Sequence, residues 1–389
     1  MADIKTILLS TMRNGKEVIK ENEYAKKLGG DFRVLKGRVK ENVEKYHKKS
    51  IDVVISEIKD NTTEAKTFRF VSEDGSQLPI FEAGQFINIF VKVSDNVITS
   101  RPYSLSSSPT QRGYYEVTIA KAKDGFISNF MLEKAKVGDK FTINGPSGVF
   151  TYCPVYQDKH SVFLAGGSGV TPFVSMVKEI IERGQTDRHI DFIFGCRRPE
   201  IAISHDELEK IAKQYKNINY HLIVSDDIPT KHKKGFITAD LIKEIVKEVE
   251  KPTFFICGPP VMSKFVTKEL EKLKIKSKNI KKETFGARQD IQNEDGWPKE
   301  LAGNEIFKIK INGNEIPAKS NETVLQALER AGIHNPVSCR TGVCSMCRVK
   351  LVSGEVFVPE GVLTRYADDK YGYIHSCKTY PISNIEIKI

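Results

Sequence analysis

The chain has 389 residues, enough for two or three domains, and its 40% hydrophobic and 28% charged content excludes both a disordered polymer and a membrane-embedded bundle. The formal charge is +10, but residues 1–50 hold 13 Lys/Arg against 7 Asp/Glu, so the excess is concentrated at one end. Aromatic residues are not interleaved with those cations, which argues against a nucleic-acid groove, and no apolar run reaches the roughly 18 residues of a transmembrane segment.

In chain order, residues 1–49 read as a helical basic extension. Ile4, Ile7, Leu8 and Met12 share one face, Leu35, Val39, Val43 and Tyr46 share another, and Gly29-Gly30 breaks the run between them. The extension either packs on the next domain or serves as a docking arm. Its first residues include Asp3 and lack the apolar core of an export signal, so the expected compartment is the cytoplasm. From Ile51 the period falls to two, through Ile51, Val53 and Ile55, then Phe86, Ile89 and Val91, then Val117 and Ile119. This predicts a closed antiparallel β-barrel domain over 50–155. From Ser161 strand and helix patterns alternate: 161–165 before the helix with Phe173, Val177 and Ile180, 189–194 before 208–215, 219–224 before 240–249, and 253–257 before 262–273. That alternation predicts an α/β doubly wound parallel domain over 156–286. Residues 287–303 lack periodicity and read as a linker. In the last domain, 304–389, two strand patterns flank Asn312-Gly313 as a hairpin, and a short helix with Val324, Leu325 and Leu328 stops at Gly332.

Four of the seven cysteines fall in the last fifth of the chain: Cys339, Cys344, Cys347 and Cys377. The pattern C-x4-C-x2-C with a distant fourth cysteine is the plant-type spacing for a [2Fe-2S] cluster, with three thiolates from one loop and one from a later strand. Gly342 keeps a side chain out of the loop where main-chain N–H groups must approach sulfide. A four-thiolate zinc site is the alternative, but it ordinarily uses two C-x2-C pairs and only one is present. Hairpin, helix and cysteine loop together resemble the plant-type ferredoxins, which implies an α+β fold of the β-grasp kind for this domain. Cys153, Cys196 and Cys257 lack metal spacing and read as small buried hydrophobes.

Arg101-Pro-Tyr103-Ser104 ends a barrel strand. Arg101 can neutralise a phosphate, Tyr103 can stack on an isoalloxazine, and Ser104 can hydrogen-bond near its reactive nitrogen. The segment resembles the flavin motif of the ferredoxin-NADP reductase superfamily, and the resemblance extends over residues 50–286. It implies that the turn Gly125-Phe-Ile127-Ser128, opening a helix, holds a pyrophosphate through main-chain amides. It also implies that Ile119 and Lys121 meet the adenine half of the cofactor. These features favour FAD; FMN is the alternative.

Gly166-Gly167-Ser-Gly169-Val-Thr171-Pro172 lies between a strand and a helix, where glycines allow a tight turn and N–H groups point at pyrophosphate. Pro172 suits a first helical turn, with Thr171 as the expected cap. The resemblance makes this the nicotinamide motif, with Cys257-Gly258-Pro259 as its partner and Cys257 against the nicotinamide ring. It likewise places Glu283 and Phe285 near the isoalloxazine. Arg197, in Cys196-Arg197-Arg198, stands where a ribose is read, and it leaves NADH and NADPH both open with a lean to NADH.

A cluster passes electrons singly while most metabolic reductants deliver hydride, so a flavin must convert between them. The domain order resembles reductase components of oxygenases and reductases of hybrid-cluster proteins. It implies an NAD(P)H oxidoreductase with Tyr103, Ser104, Cys257 and Glu283 at the reacting rings, feeding a separate acceptor protein. An electron-distributing subunit of an obligate complex and a free-standing diaphorase are the alternatives. The former is disfavoured by the long gap between Cys347 and Cys377.

Overall fold

The computed structural model describes residues 4–12, 14–27, 50–94, 97–122, 125–153, 157–284, 291–342, 344–359, 362 and 364–389. The chain divides into two units, Met1–Lys49 and Ser50–Ile389. In the first, helices Ile4–Ser10 and Gly15–Lys27 are present. The expected apolar face of Leu35, Val39, Val43 and Tyr46 lies outside the described residues.

The second unit opens with six antiparallel strands in the order Val97–Ser104, Phe86–Ser94, Lys140–Ser147, Ile51–Thr62, Ala65–Ser72 and Tyr115–Ala120. The sheet closes on itself where Leu105 bridges Val117. The period-two residues turn inward as the pleat requires: Val53, Ile55, Ile89, Val117 and Ile119 are fully buried beside Phe68, Phe70 and Tyr115. Each such burial contributes roughly 1.5–3 kcal/mol. Helix Phe126–Glu133 seals the barrel with Ile127 and Met131.

Next comes a parallel sheet in the order Lys233–Lys234, Ile218–Val224, His189–Cys196, His160–Gly166, Thr253–Gly258 and Ile280–Thr284. Helices Thr171–Glu182, His205–Gln214, Ala239–Ile245 and Pro260–Lys272 connect the strands. Phe163, Phe192, Phe194 and Phe255 pack with Phe173 in one core, and Val162, Leu164, Ile193, Phe254 and Ile256 pack in another, which is the two-sided burial that continuous apolar strands predict. Helix Ala239–Ile245 is shorter than the expected 240–249, because Val246 is extended and its N–H caps Ile242. Strand order reverses between His160–Gly166 and Thr253–Gly258, which creates the crevice where such sheets hold ligands.

The last domain is a mixed sheet in the order Asn314–Lys319, Ile306–Ile311, Ile385–Lys388, Arg348–Ser353 and Tyr373–His375. The hairpin turn puts Asn312 at φ 48° and Gly313 at φ 81°, as Asn-Gly prefers. Helix Val324–Arg330 begins with a capping box between Thr323 and Gln326 and buries Val324, Leu325 and Leu328. The described part of the expected linker is packed: Ile291 and Trp297 are buried with Phe357 and Tyr380. Single anchors of this kind leave no periodic signature.

Candidate functional site

On strand Val97–Ser104 the pleat puts Thr99, Arg101 and Tyr103 on one face. Ser104 is 4% exposed and its Oγ has no protein partner, an unmet donor that suits a flavin edge. Burial pushes the Tyr103 phenol up, keeping it a neutral aromatic ring. Arg101 donates to Thr99 Oγ1 (3.0 Å) and to the Ser100 carbonyl (2.8 Å), and burial with the nearby Arg340 holds its guanidinium below the ordinary value. At Gly125, an added Cβ would strike Ser128 Oγ and lie 2.8 Å from Ala122 Cβ, so the entry to helix Phe126–Glu133 is tight. Ser128 and Ile127 are buried. Ile119 faces the barrel core, so a cofactor could meet it only through its main chain, whereas Lys121 is exposed.

At the crevice of the parallel sheet, Gly167 adopts φ 52° and Gly167–Val170 forms a 3-10 turn running directly into helix Thr171–Glu182. Thr171 therefore does not cap the helix as expected. With no extended residue at the entry, its hydroxyl instead donates to the Ser168 carbonyl at 3.0 Å. Pro172 occupies the first helical turn. A Cβ at Gly169 would run into the Cys257 carbonyl, and one at Gly258 would lie 2.6 Å from Met262 Sδ, so the two glycine motifs interlock across neighbouring strands. Pro259 is the N-cap of helix Pro260–Lys272, which follows.

Cys257 is fully buried and pairs in register with Glu283 on the next strand. Burial, with the Glu283 carboxylate adding, pushes the thiol well up, so it is a neutral group and not a nucleophile. Burial, with Cys339 adding, raises the Glu283 carboxyl to about 8, and its Oε2 is out of water without a partner. Phe285 lies outside the described residues. Arg197 is exposed and its Nε donates to Asp226 Oδ1 at 3.3 Å, a pairing that sequence reading missed.

The four candidate cluster cysteines converge as two neighbouring pairs, Cys339 with Cys344 and Cys347 with Cys377. The neighbouring Cys344, joined by Thr341, pulls the Cys339 thiol below the ordinary value, and Cys377 does the same for Cys347. Three thiols from one loop and a fourth that follows strand Tyr373–His375 make the donor set a two-iron cluster takes. The loop is wound tightly by Arg340 at φ 52°, Gly342 at φ 85° and Ser345 at φ 57°. A Cβ on Gly342 would lie 2.8 Å from Val362 Cγ1. Around the loop, Asn335 Nδ2 donates to the Cys347 carbonyl (3.2 Å) and to Ser376 Oγ (2.9 Å), and His375 bonds the Gly342 carbonyl through Nδ1 and faces Asp368 through Nε2 at 2.9 Å. Sequence reading missed this cage, which carries no spacing signal. Of the other three cysteines, Cys196 and Cys257 are buried as expected, but Cys153 is only half-buried because it follows the barrel in a loop.

Cluster loop and flavin strand are joined directly. Glu329 accepts from Thr99 Oγ1 (3.0 Å) and from both terminal nitrogens of Arg340, and it lies 3.9 Å from Arg101. Arg340 also donates to Thr99 Oγ1 (3.2 Å), and Asn88 Nδ2 donates to Ser338 Oγ (3.2 Å). The structure thus brings Arg101 of the flavin strand and Glu283 of the parallel sheet to the base of the loop that starts at Cys339.

Comparison with known families agrees domain by domain. Residues 52–152 match the oxidoreductase FAD-binding domain, 163–268 the oxidoreductase NAD-binding domain, and 307–381 the 2Fe-2S iron-sulfur cluster binding domain. The protein is therefore an oxidoreductase of the ferredoxin reductase type, with FAD, a nicotinamide dinucleotide and a [2Fe-2S] cluster as its cofactors. The chain belongs to the ferredoxin-NADP reductase superfamily, with a plant-type [2Fe-2S] domain at its carboxyl end. It is 28% identical to the glycine betaine monooxygenase reductase subunit of Chromohalobacter salexigens, over 84% of this chain and 92% of that one. It is 26% identical to the 3-ketosteroid-9-alpha-monooxygenase ferredoxin reductase component of Mycobacterium tuberculosis (86% and 94% covered) and 27% identical to NADH oxidoreductase HCR of Escherichia coli (77% and 87%). In fold it is similar to phthalate dioxygenase reductase, with a TM-score of 0.66 at 23% identity, covering 87% of this chain and 98% of that one. Among the described residues no helix is long and apolar enough to cross a membrane.

Proposed function

We propose that this chain is the reductase component of an oxygenase system, drawing on NADH and delivering electrons one at a time to a separate protein. When bound, FAD accepts hydride from the nicotinamide and the cluster passes electrons on singly. The observation that carries the reading is the bonding of the cluster loop to the flavin strand through Glu329, Arg340 and Thr99, which a free-standing diaphorase would not need. The names of the relatives, reductase components of monooxygenases, favour an oxygenase as the acceptor. A hybrid-cluster protein is the second candidate.

In this reading Arg101, Gly125, Ile127, Ser128 and Lys121 hold the FAD phosphates and adenine side, with Ile119 contributing main chain, while Tyr103 and Ser104 hold its ring. Gly167, Gly169, Thr171, Pro172, Gly258 and Pro259 shape the nicotinamide crevice, Cys257, Glu283 and Phe285 lie by the reacting rings, and Arg197 reads the ribose. Cys339, Cys344, Cys347 and Cys377 ligate the cluster. The pairing of Arg197 with Asp226 favours NADH, since part of its charge is already answered when a 2'-phosphate would arrive. The domain limits that follow are 50–155, 156–286 and 304–389, with 287–303 joining the last two and 1–49 as the extension. A reducing cytoplasm suits seven thiols without a disulfide.

Anaerobic stopped-flow mixing with NADH and with NADPH tests the reading. NADH is expected to bleach flavin and then cluster, and reconstitution with an oxygenase encoded nearby should give product only when this chain is present. A cluster that stays oxidised behind a reduced flavin, or a purified protein without flavin and acid-labile sulfide, would sink it.

A further inference from the structure

The parallel sheet has two ends. Its carboxyl end carries the glycine turns, and its amino end carries a polar group that takes no part in that chemistry. His160 opens strand His160–Gly166, His189 opens strand His189–Cys196, and the two are register partners. Asp191 stands two residues beyond His189, so the pleat brings it to the same face. One ligand atom from each of His160, His189 and Asp191 lies within 4.8 Å of the other two. We propose that these three residues form a site for a divalent transition metal of the zinc class, separate from the iron-sulfur cluster.

The donor set is the first argument. Two imidazole nitrogens and a carboxylate oxygen are ligands that zinc and its first-row neighbours take, and a strand pair of positions i and i+2 with one residue from the adjacent strand directs three donors to one point. Burial supplies the second. The Asp191 side chain is 3% exposed, those of His160 and His189 are 22% and 43% exposed, so the carboxylate anchors the site from within and water can complete it from outside. Asn219 donates to Asp191 Oδ1 at 2.9 Å, fixing the carboxylate as outer-shell partners of metal ligands do and turning Oδ2 toward His160.

His160 Nε2 lies 2.7 Å from Asp191 Oδ2 and His189 Nε2 lies 3.5 Å from Oδ1, with the two rings 4.6 Å apart. Bonds of about 2.0–2.1 Å to one ion need donors roughly 3.5 Å apart; His189 already stands at that distance from Asp191, and the His160 ring, 22% exposed, has to draw back from its hydrogen bond to the carboxylate by under about 1 Å. The strands are seven or more residues long, which puts the site roughly 20 Å from the nicotinamide crevice. An ion there would tie the first two strands of the sheet together and stabilise the folded domain by mass action.

The test uses untagged holoprotein with a full complement of iron, so that the cluster cysteines are occupied. Zinc sulfate is titrated in competition with a chromophoric chelator, and the thermal midpoint is recorded with and without zinc. The expected result is one zinc per chain and a raised midpoint in the wild type. His189→Ala, at a partly exposed position, should bind at least tenfold more weakly and lose the midpoint shift while melting in the absence of zinc close to the wild type, and His189→Cys should recover binding. His232→Ala, in a second histidine pair whose rings are 5.1 Å apart, should bind like the wild type. Failure of the wild type to hold zinc against the chelator, equal binding by His189→Ala, or loss of binding in His232→Ala in its place would each overturn the proposal.

Discussion

Cys257 and Glu283 are register partners on neighbouring parallel strands, which sets a buried thiol and a buried carboxyl at the same height in the crevice of the sheet. Burial holds Glu283 up at about 8, so the pair is neutral at pH 7. A neutral pair places no second charge beside the cluster loop and leaves a proton on a carboxyl that can donate to a bound ring.

The first prediction concerns that proton. Because the folded value lies above the ordinary carboxyl value of 4.5, the stabilisation is whole below pH 4.5 and is lost as pH rises toward 8. One proton gives a slope of at most about 1.4 kcal/mol per pH unit. Glu283→Gln should flatten the fall in stability between pH 6 and pH 8 and also flatten the pH profile of flavin reduction by NADH above pH 7. Denaturant melts and stopped-flow traces across that range would show it, and an unchanged slope in the variant would refute it.

Glu329 answers the Arg340 guanidinium within its own domain and, across to the flavin barrel, the Thr99 hydroxyl and the Arg101 guanidinium. Glu329→Ala should cost roughly 1.5–3 kcal/mol, the range for hydrogen bonds to a charged group. Reduction of cytochrome c through the cluster should fall severalfold, while reduction of ferricyanide directly from the flavin changes little. Equal loss in both assays would mean that the residue only supports folding.

Gly169→Ala and Gly166→Ala offer a contrast. The first sets a Cβ against the Cys257 carbonyl, which cannot move without the strand, and the second meets the sulfur of Met262, the movable end of a flexible side chain. KM for NADH should rise at least tenfold in Gly169→Ala and clearly less in Gly166→Ala. Steady-state kinetics on both variants would decide.

Asp226→Asn should release Arg197 to take a 2'-phosphate. The kcat/KM ratio of NADPH to NADH is expected to rise severalfold, at about 1 kcal/mol of recovered interaction. A ratio that stays fixed would remove Arg197 from ribose recognition.

Cys377→Ser should leave a yellow protein that has lost its iron, since one of the two thiol pairs is then broken. Iron analysis and visible circular dichroism would check this, with flavin content as the internal control.

Much of the chemistry was legible because it is local. C-x4-C-x2-C from Cys339, the turn at Asn312-Gly313, and the glycines at 166, 167 and 169 state their requirements within a few residues, since backbone conformation and ligand spacing are short-range properties. The alternation of strand and helix after Ser161 was legible for the same reason. Reading failed where a residue's task depends on what meets it. Thr171 looked like a cap until the preceding turn proved continuous with the helix, and the aperiodic stretch around Ile291 and Trp297 looked like plain linker until those residues found Phe357 and Tyr380.

The sequence alone determined that this protein handles a flavin, a nicotinamide dinucleotide and an iron-sulfur cluster, because thiolate spacing and glycine turns are written in consecutive residues. Tertiary structure alone decided how they are brought together. Thr99 and Arg340 are 241 residues apart and Asn88 and Ser338 are 250 apart, and no local pattern marks such partners. Their contacts exist only where the barrel meets the last domain, where a carboxylate such as Glu329 is largely removed from water between two arginines and must be answered there.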